Sequence, residues 1–218
     1  LVEKPVGYLE FFDEKIFLIS GMGNINYFDI NESENNEIKL NKIKTNFQNF
    51  INDPLFFISS SSSIKDIHID DKYMYISYTK LKSNDCYSMS ILRSKININE
   101  MKFEDFYNNN DCINNDSYAN LLVTGGRIIS YNDHLLFSIG EFQHRNLAQD
   151  LDNNFGKIIK INKYNKNSEI LSYGHRNVQG LKFIKEKNII ISTEHGPLGG
   201  DEININKLKN NKLKNYGW

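Results

Sequence analysis

Asp13-Glu14-Lys15-Ile16-Phe17-Leu18-Ile19-Ser20 is a polar turn that runs into an apolar strand and stops on serine. The same form returns as Asp71-Lys72-Tyr73-Met74-Tyr75-Ile76-Ser77, then as Asn132-Asp133-His134-Leu135-Leu136-Phe137-Ser138, and again as Lys187-Asn188-Ile189-Ile190-Ile191-Ser192. The closing serines lie 57, 61 and 54 residues apart. A repeat of that length, built from short strands and polar turns, is the signature of propeller blades. Continuous apolar runs such as Ile189-Ile190-Ile191 suit strands covered on both faces, and Gly156 to Asn162 alternates like a half-buried one. A two-sheet sandwich would use similar strands without so long a period. The expected fold class is all-β, a β-propeller with about four blades, and residues 1–218 read as a single partial propeller domain.

Between the repeats, Asn31 to Asn52 and Asn108 to Asn120 read as polar, Asn-rich connections, and Ser59 to Ser63 as a tight loop. Met101 to Tyr107 is the best candidate for a short helix. The first residues, Leu1 to Pro5, and the last, Asn215-Tyr216-Gly217-Trp218, read as cuts in a longer chain.

A hydrophobic fraction of 39% with 12% aromatic residues gives enough apolar matter for a packed core, which argues against disorder. With 26 basic against 27 acidic residues the net charge is -1, so no positive field exists to gather on nucleic acid. No apolar stretch approaches the roughly 18 residues that span a bilayer. Cys86 and Cys112 read equally as two separate buried thiols or as one disulfide, the latter implying an oxidising compartment.

Three segments of the second half are too particular for generic propeller sequence. The first is Gly125-Gly126-Arg127-Ile128, followed by Leu136-Phe137-Ser138-Ile139-Gly140-Glu141 and Ala148-Gln149-Asp150. The second is Ser172-Tyr173-Gly174-His175-Arg176-Asn177-Val178-Gln179-Gly180-Leu181. The third is Thr193-Glu194-His195-Gly196-Pro197-Leu198-Gly199-Gly200-Asp201-Glu202-Ile203-Asn204, closed by Asn215-Tyr216-Gly217-Trp218. In this order they resemble the glucose/sorbosone dehydrogenase family, specifically over Gly125 to Trp218 and in outline before it.

The resemblance implies a six-bladed propeller that holds pyrroloquinoline quinone (PQQ) and calcium near its axis, in the periplasm or outside the cell. It implies hydride transfer from C1 of an aldose to the quinone, with a small sugar or alcohol as substrate and an electron acceptor the sequence leaves unspecified. Arg176 and Asn177 match the pair that contacts the quinone oxygens. A guanidinium there stabilises the negative charge that hydride arrival creates. Gly196 and Pro197 match positions whose main-chain carbonyls hold the cofactor-bound calcium, a hard ion that takes oxygen ligands. Glu202 and Tyr216 match a second, structural calcium site, although 14 residues separate them and Lys207 to Lys214 reads as an extended hairpin tip. His175 and Gln179 read as groups that steady the Arg176 loop. His195 and Asp201 lack the further His or Cys that zinc would need.

Two positions depart from the family. Its general base is a histidine two residues before Gly-Gly-Arg, where this chain has Val123, which takes no proton. Ser61 stands where relatives place a glutamine in a glycine-rich turn. His144 is the better-placed substitute base, and His134 sits in a distant turn. The alternative to an oxidoreductase is therefore a propeller that binds a glycan or a partner without turnover.

Overall fold

The computed structural model describes residues 7–34, 37–57, 62–83, 85–114, 116, 119–208 and 212–218. Its contacts divide the chain into two compact units, 1–81 with 90–108, and 82–89 with 109–218. The described residues carry strands and 3-10 turns, and no helix among them is long and apolar enough to cross a membrane.

In the first unit β1 (Gly7–Phe12), β2 (Lys15–Ser20), β3 (Ile25–Asp29) and β4 (Asn41–Thr45) form an antiparallel meander. A second meander follows, with β5 (Ile64–Asp70), β6 (Tyr73–Ser83) and β7 (Cys86–Lys95). β8 (Glu100–Met101) then returns parallel to β4, and β9 (Glu104–Asn108) pairs with β7. Phe17, Ile19, Phe47, Ile64, Met74, Ile76 and Met101 fill the core of this unit, each fully or nearly fully buried. Burying each such side chain is worth roughly 1.5–3 kcal/mol.

The stretch expected to be helical is therefore strand. Phe106 packs edge-on to Tyr75 at 5.1 Å, and Arg93 pairs across the strands with Glu104 at 2.6 Å. These cross-strand contacts outweigh a weak helical pattern. The Asn-rich connections also hold short strands, β4 in one and β10 (Ile113–Asn114) in the other. Ser61 lies outside the described residues. Beside it Ser62 is buried, its hydroxyl 2.5 Å from Asp53 Oδ2.

In the second unit β11 (Gly125–Tyr131), β12 (His134–Ile139), β13 (Lys157–Asn162) and β14 (Ser168–Tyr173) make one antiparallel sheet. β15 (Val178–Ile184), β16 (Ile189–Glu194) and β17 (Glu202–Lys207) make another. β18 (Lys214–Asn215) joins β14 in parallel, so the stretch after β17 crosses to the other sheet instead of closing a hairpin.

Each repeat segment read from the sequence is the turn and second strand of one sheet. Two-residue loops at Asp13-Glu14, Asp71-Lys72 and Asn132-Asp133 join first strand to second. Asp13, Glu14, Asp71 and Asn132 take positive φ there, a conformation that short Asn and Asp side chains tolerate. The recurring serine has a structural reason in the β11–β12 pair. β11 bulges opposite Ser138, whose buried hydroxyl accepts the Gly126 and Arg127 amides at 3.1 and 2.9 Å. It donates in turn to the Val178 carbonyl at 3.2 Å, tying β12 to β15. A bulge leaves a ladder amide without a partner, and a serine supplies one.

Cys86 and Cys112 form a disulfide with Cα atoms 5.5 Å apart, which settles the two readings. It closes a 26-residue separation, a constraint worth about 3 kcal/mol. Replacing both cysteines by serine is expected to lower the melting temperature by roughly 6–12 °C. Alkylation followed by mass measurement, with and without reductant, checks the bond itself.

Candidate functional site

Three connections of the second unit carry the predicted residues. Gly140 to Gln149 leaves β12, Gly174 to Asn177 links β14 to β15, and His195 to Asp201 links β16 to β17. The register of β12, β13 and β14 brings Ile139, Lys157 and Tyr173 side by side, so the first two connections leave the same end of the sheet.

The second connection is built on a buried network. His175 and Glu194 are almost wholly inaccessible, with His175 Nδ1 2.9 Å from Glu194 Oε1. With its hydrogen on Nδ1, the ring donates to the carboxylate and accepts the Ser172 hydroxyl on Nε2 at 2.8 Å. Glu194 further accepts the Arg176 amide at 2.7 Å and the Asn204 side chain at 2.8 Å. Burial pushes the Glu194 carboxyl up, but His175, the Arg176 amide and Asn204 together outweigh it and hold it below its ordinary value. Tyr216 stacks on the His175 ring at 4.8 Å. His175 is thus a structural histidine with both nitrogens engaged.

Arg176 projects from this base. Its Nη1 donates to the His195 carbonyl at 2.9 Å, directly before Gly196, and its guanidinium lies over the Trp218 ring at 5.4 Å. Its Nε stands 3.9 Å from Glu141 Oε1. Arg145 covers the same indole at 4.1 Å, so two cations face one aromatic ring. Asn177 is drawn into the frame. Its Oδ1 accepts the Gly125 amide at 3.0 Å and Gln179 Nε2 at 2.9 Å, and its Nδ2 donates to Leu122 O at 3.3 Å.

Gly196 and Pro197 form a tight turn in which the Gly196 amide donates to Asp201 Oδ1 and the Gly200 amide to the Pro197 carbonyl, both at 3.0 Å. A Cβ on Gly196 would collide with the Gly200 carbonyl, so the turn needs glycine there. Glu202 is exposed and accepts Asn204 Nδ2 at 3.0 Å, while Tyr216 donates its amide to Tyr173 O at 2.9 Å. Glu202 and Tyr216 thus border the Glu194–His175 network from two sides. Burial and the Glu194 charge raise the Tyr216 hydroxyl pKa.

Val123 is buried and its carbonyl accepts the Phe142 amide at 2.9 Å. His144 leads into a 3-10 turn with its ring toward Asp116, Nε2 to Oδ1 3.6 Å. His134 opens β12, about 17 Å from the Ile139 end by strand rise. His195 and Asp201 are exposed and 3.5 Å apart. Among the described residues no group of three or more His, Cys, Asp or Glu side chains is placed to hold a metal ion.

Four residues at this site escaped sequence reading: Glu141, Arg145, Glu194 and Trp218. Glu194 closes β16 and Glu141 stands two residues beyond β12, both inside the motif segments quoted above, and that placement is the signal that could have found them.

The chain matches the family described as "Glucose / Sorbosone dehydrogenase" over residues 3–218. It is 41% identical over 108 residues to "Aldose sugar dehydrogenase YliI" of Escherichia coli, an alignment that takes in 43% of this chain and 28% of that protein. It superposes on the apo soluble aldose sugar dehydrogenase of E. coli with a TM-score of 0.73 at 20% identity, covering 97% of this chain and 62% of that one. The PQQ-bound aldose sugar dehydrogenase of Streptomyces coelicolor gives 0.67 at 21%, covering 94% and 59%. The fold is that β-propeller, and the chain spans about three fifths of the length of these structures.

Proposed function

The chain belongs to the glucose/sorbosone dehydrogenase family, and from that premise we propose that it is an oxidoreductase acting on an aldose or related alcohol. The observation that carries the reading is Arg176: a partly exposed guanidinium, hydrogen-bonded to the carbonyl that precedes the Gly196-Pro197 turn. PQQ, when bound, supplies a two-electron acceptor for the hydride. The donor set fits such a group, because a fixed cation on the β14–β15 connection is hydrogen-bonded to the start of a turn of main-chain oxygens on the β16–β17 connection. Arg176 offers positive charge where negative charge develops, and its own amide is anchored on Glu194 so that little reorganisation is needed. Asn177 holds the Leu122–Gly125 segment against the start of β15 and completes the Arg-Asn pair.

The Gly196 and Pro197 carbonyls are proposed to hold calcium at the cofactor. The Pro197 oxygen keeps a second lone pair beyond its bond to Gly200. Glu202 and Tyr216 are proposed for a structural calcium site. The Cys86–Cys112 disulfide supports a periplasmic or extracellular location. The four sheets are assigned as four blades of a six-bladed ring in one domain. Val123 favours a second reading, a propeller that binds a sugar or partner without turnover, since valine offers no base.

Reconstitution with calcium and PQQ, followed by cofactor binding and dye reduction over a sugar panel, separates the two. Turnover supports the enzyme, tight binding without turnover the binding module, and no binding removes both cofactors. Arg176→Ala is expected to weaken quinone binding by about tenfold or more, as a charge-assisted contact is worth ~1.5–3 kcal/mol. Unchanged affinity would reject its role.

A further inference from the structure

Both carboxylate oxygens of Glu141 are buried, and among the described residues neither makes a well-formed hydrogen bond, the Gln143 amide on its own turn being the nearby main-chain donor. The side chain is 1% exposed. Such a group is expensive to keep in a protein interior unless something charged stands close by. The guanidinium of Arg176 is that group, with Nε 3.9 Å from Oε1. The main chain reinforces the pairing, since the Glu141 amide donates to the Arg176 carbonyl at 3.0 Å. Val123, whose main chain runs beside Gly140 and Phe142, has no side-chain donor to give.

The turn that carries Glu141 is held in an unfavourable shape. Phe142 and Gln143 both take positive φ, at 53° and 71°, and the His144 amide closes the turn on the Glu141 carbonyl. Non-glycine residues in this region cost ~1 kcal/mol or more each and persist where the surroundings fix them. Phe142 is fully buried against Phe155 at 5.3 Å, which does so here.

We infer that Glu141 is a positioning residue for Arg176: its buried carboxyl sets how much of the guanidinium's charge is offered to a ligand at the site. The oxygens are out of solvent reach, so the carboxyl acts through Arg176 and not on a substrate. The inference rests on the oxidoreductase reading for the identity of that ligand.

The charged groups facing the carboxyl are few. Arg176 comes from the β14–β15 connection and Arg145 from the 3-10 turn, with the Gln143 amide nearby on its own turn. The His144 ring is turned to Asp116, and the Lys157 ammonium is committed to the Leu147, Ala148 and Phe155 carbonyls. The 120–124 and 155–156 segments bring no titratable side chain. Burial pushes the Glu141 pKa up to about 7, against the opposing pull of Arg176, the Gln143 amide and Arg145. Below neutrality the carboxyl is neutral and Arg176 stands as a free cation. Above it the carboxylate cancels part of that charge. By linkage, an anionic ligand that draws on Arg176 favours the protonated carboxyl, and binding takes up a proton near neutral pH.

The test is equilibrium binding of PQQ with calcium at pH 6 and pH 8, on the wild-type protein and on Glu141→Gln. The wild type is expected to bind about fivefold more weakly at pH 8 than at pH 6, the change that one pKa unit of coupling produces over that interval. Glu141→Gln is expected to lose that dependence and to bind more tightly than wild type at pH 8. A Gln variant with the wild-type pH slope overturns the inference and leaves the function standing. A wild type that binds no quinone at any pH overturns the function instead. The Glu141–Arg176 coupling is then decided by infrared titration of the ligand-free protein. A carboxyl that titrates near neutral pH, vanishes in Glu141→Gln and moves upward in Arg176→Gln supports it. A Glu141 ionised throughout, or unmoved by Arg176→Gln, overturns it.

Discussion

Lys157→Met is expected to cost about 3 kcal/mol of stability, and Lys157→Ala roughly 5, because this lysine is a buried cross-brace. The side chain is wholly buried at the start of β13. Its ammonium donates to the Leu147 and Phe155 carbonyls, both at 2.6 Å, and to Ala148 O at 3.3 Å. All three ammonium hydrogens are thereby used, and three carbonyls of an irregular loop find a donor. Burial lowers the Lys157 pKa to about 8, with Asp150 and Asp111 opposing. Methionine keeps most of the volume but removes the ammonium donor, leaving Leu147 O and Ala148 O only the Asp150 and Gly174 amides and taking the lysine bond from Phe155 O, and alanine adds a cavity. For a chain of this size each kcal/mol moves the melting temperature by ~2–4 °C. Thermal melts at pH 7 would read the two losses, and a Met variant melting with the wild type would show that the loop does not depend on this brace.

The sign of the pH effect follows from the same group. Its folded pKa lies below the unfolded value of 10.5, so the unfolded chain binds more protons between about pH 8 and 10.5. This residue therefore makes the protein more stable as pH rises through that window, and Lys157→Met removes the slope.

The architecture was legible because it rests on local chemistry repeated at long range. Asp13-Glu14, Asp71-Lys72 and Asn132-Asp133 are turns by composition, and the apolar runs after them are strands by pattern. The closing serines were visible as a regularity, but their use was not, since the bulge opposite Ser138 appears only once β11 and β12 are paired. Glu104–Asn108 was misread because its burial is decided by Tyr75, Arg93 and β7, none of them near in sequence.

The site divides along the same line. Arg176 and Gly196-Pro197 were readable because their types and order match a family motif, and the His195 carbonyl joins them. Glu141 and Glu194 drew no role although both stand within the quoted motifs, because a lone glutamate beside a strand does not reveal its burial or its partners. What distinguishes them is burial and the partners that fold back onto them. The proposed redox chemistry is read from motif residues, while the buried charges beside Arg176 come from positions that only the tertiary structure assembles.

Glu194→Ala is expected to be the most damaging single change at the site, costing about 3–5 kcal/mol and disordering the Arg176 loop. The carboxylate receives His175 Nδ1 at 2.9 Å, the Arg176 amide at 2.7 Å and Asn204 Nδ2 at 2.8 Å. Alanine leaves a fully buried imidazole and a main-chain amide with no acceptor, and opens a gap under the His175–Tyr216 stack. Removing one end of a buried pair costs more than the pair was worth, because the other end stays desolvated. Ser172→Ala loses one hydroxyl bond to the same ring, and about 1 kcal/mol is expected. The functional readout should follow the anchor. Displacing Arg176 by even an ångström is expected to weaken quinone binding by ~10- to 100-fold, while Ser172→Ala stays near wild type. Melting curves and quinone titrations on both variants give the comparison. A Glu194→Ala protein with near-normal stability and affinity would mean that Arg176 is held in place by its His195 contact alone.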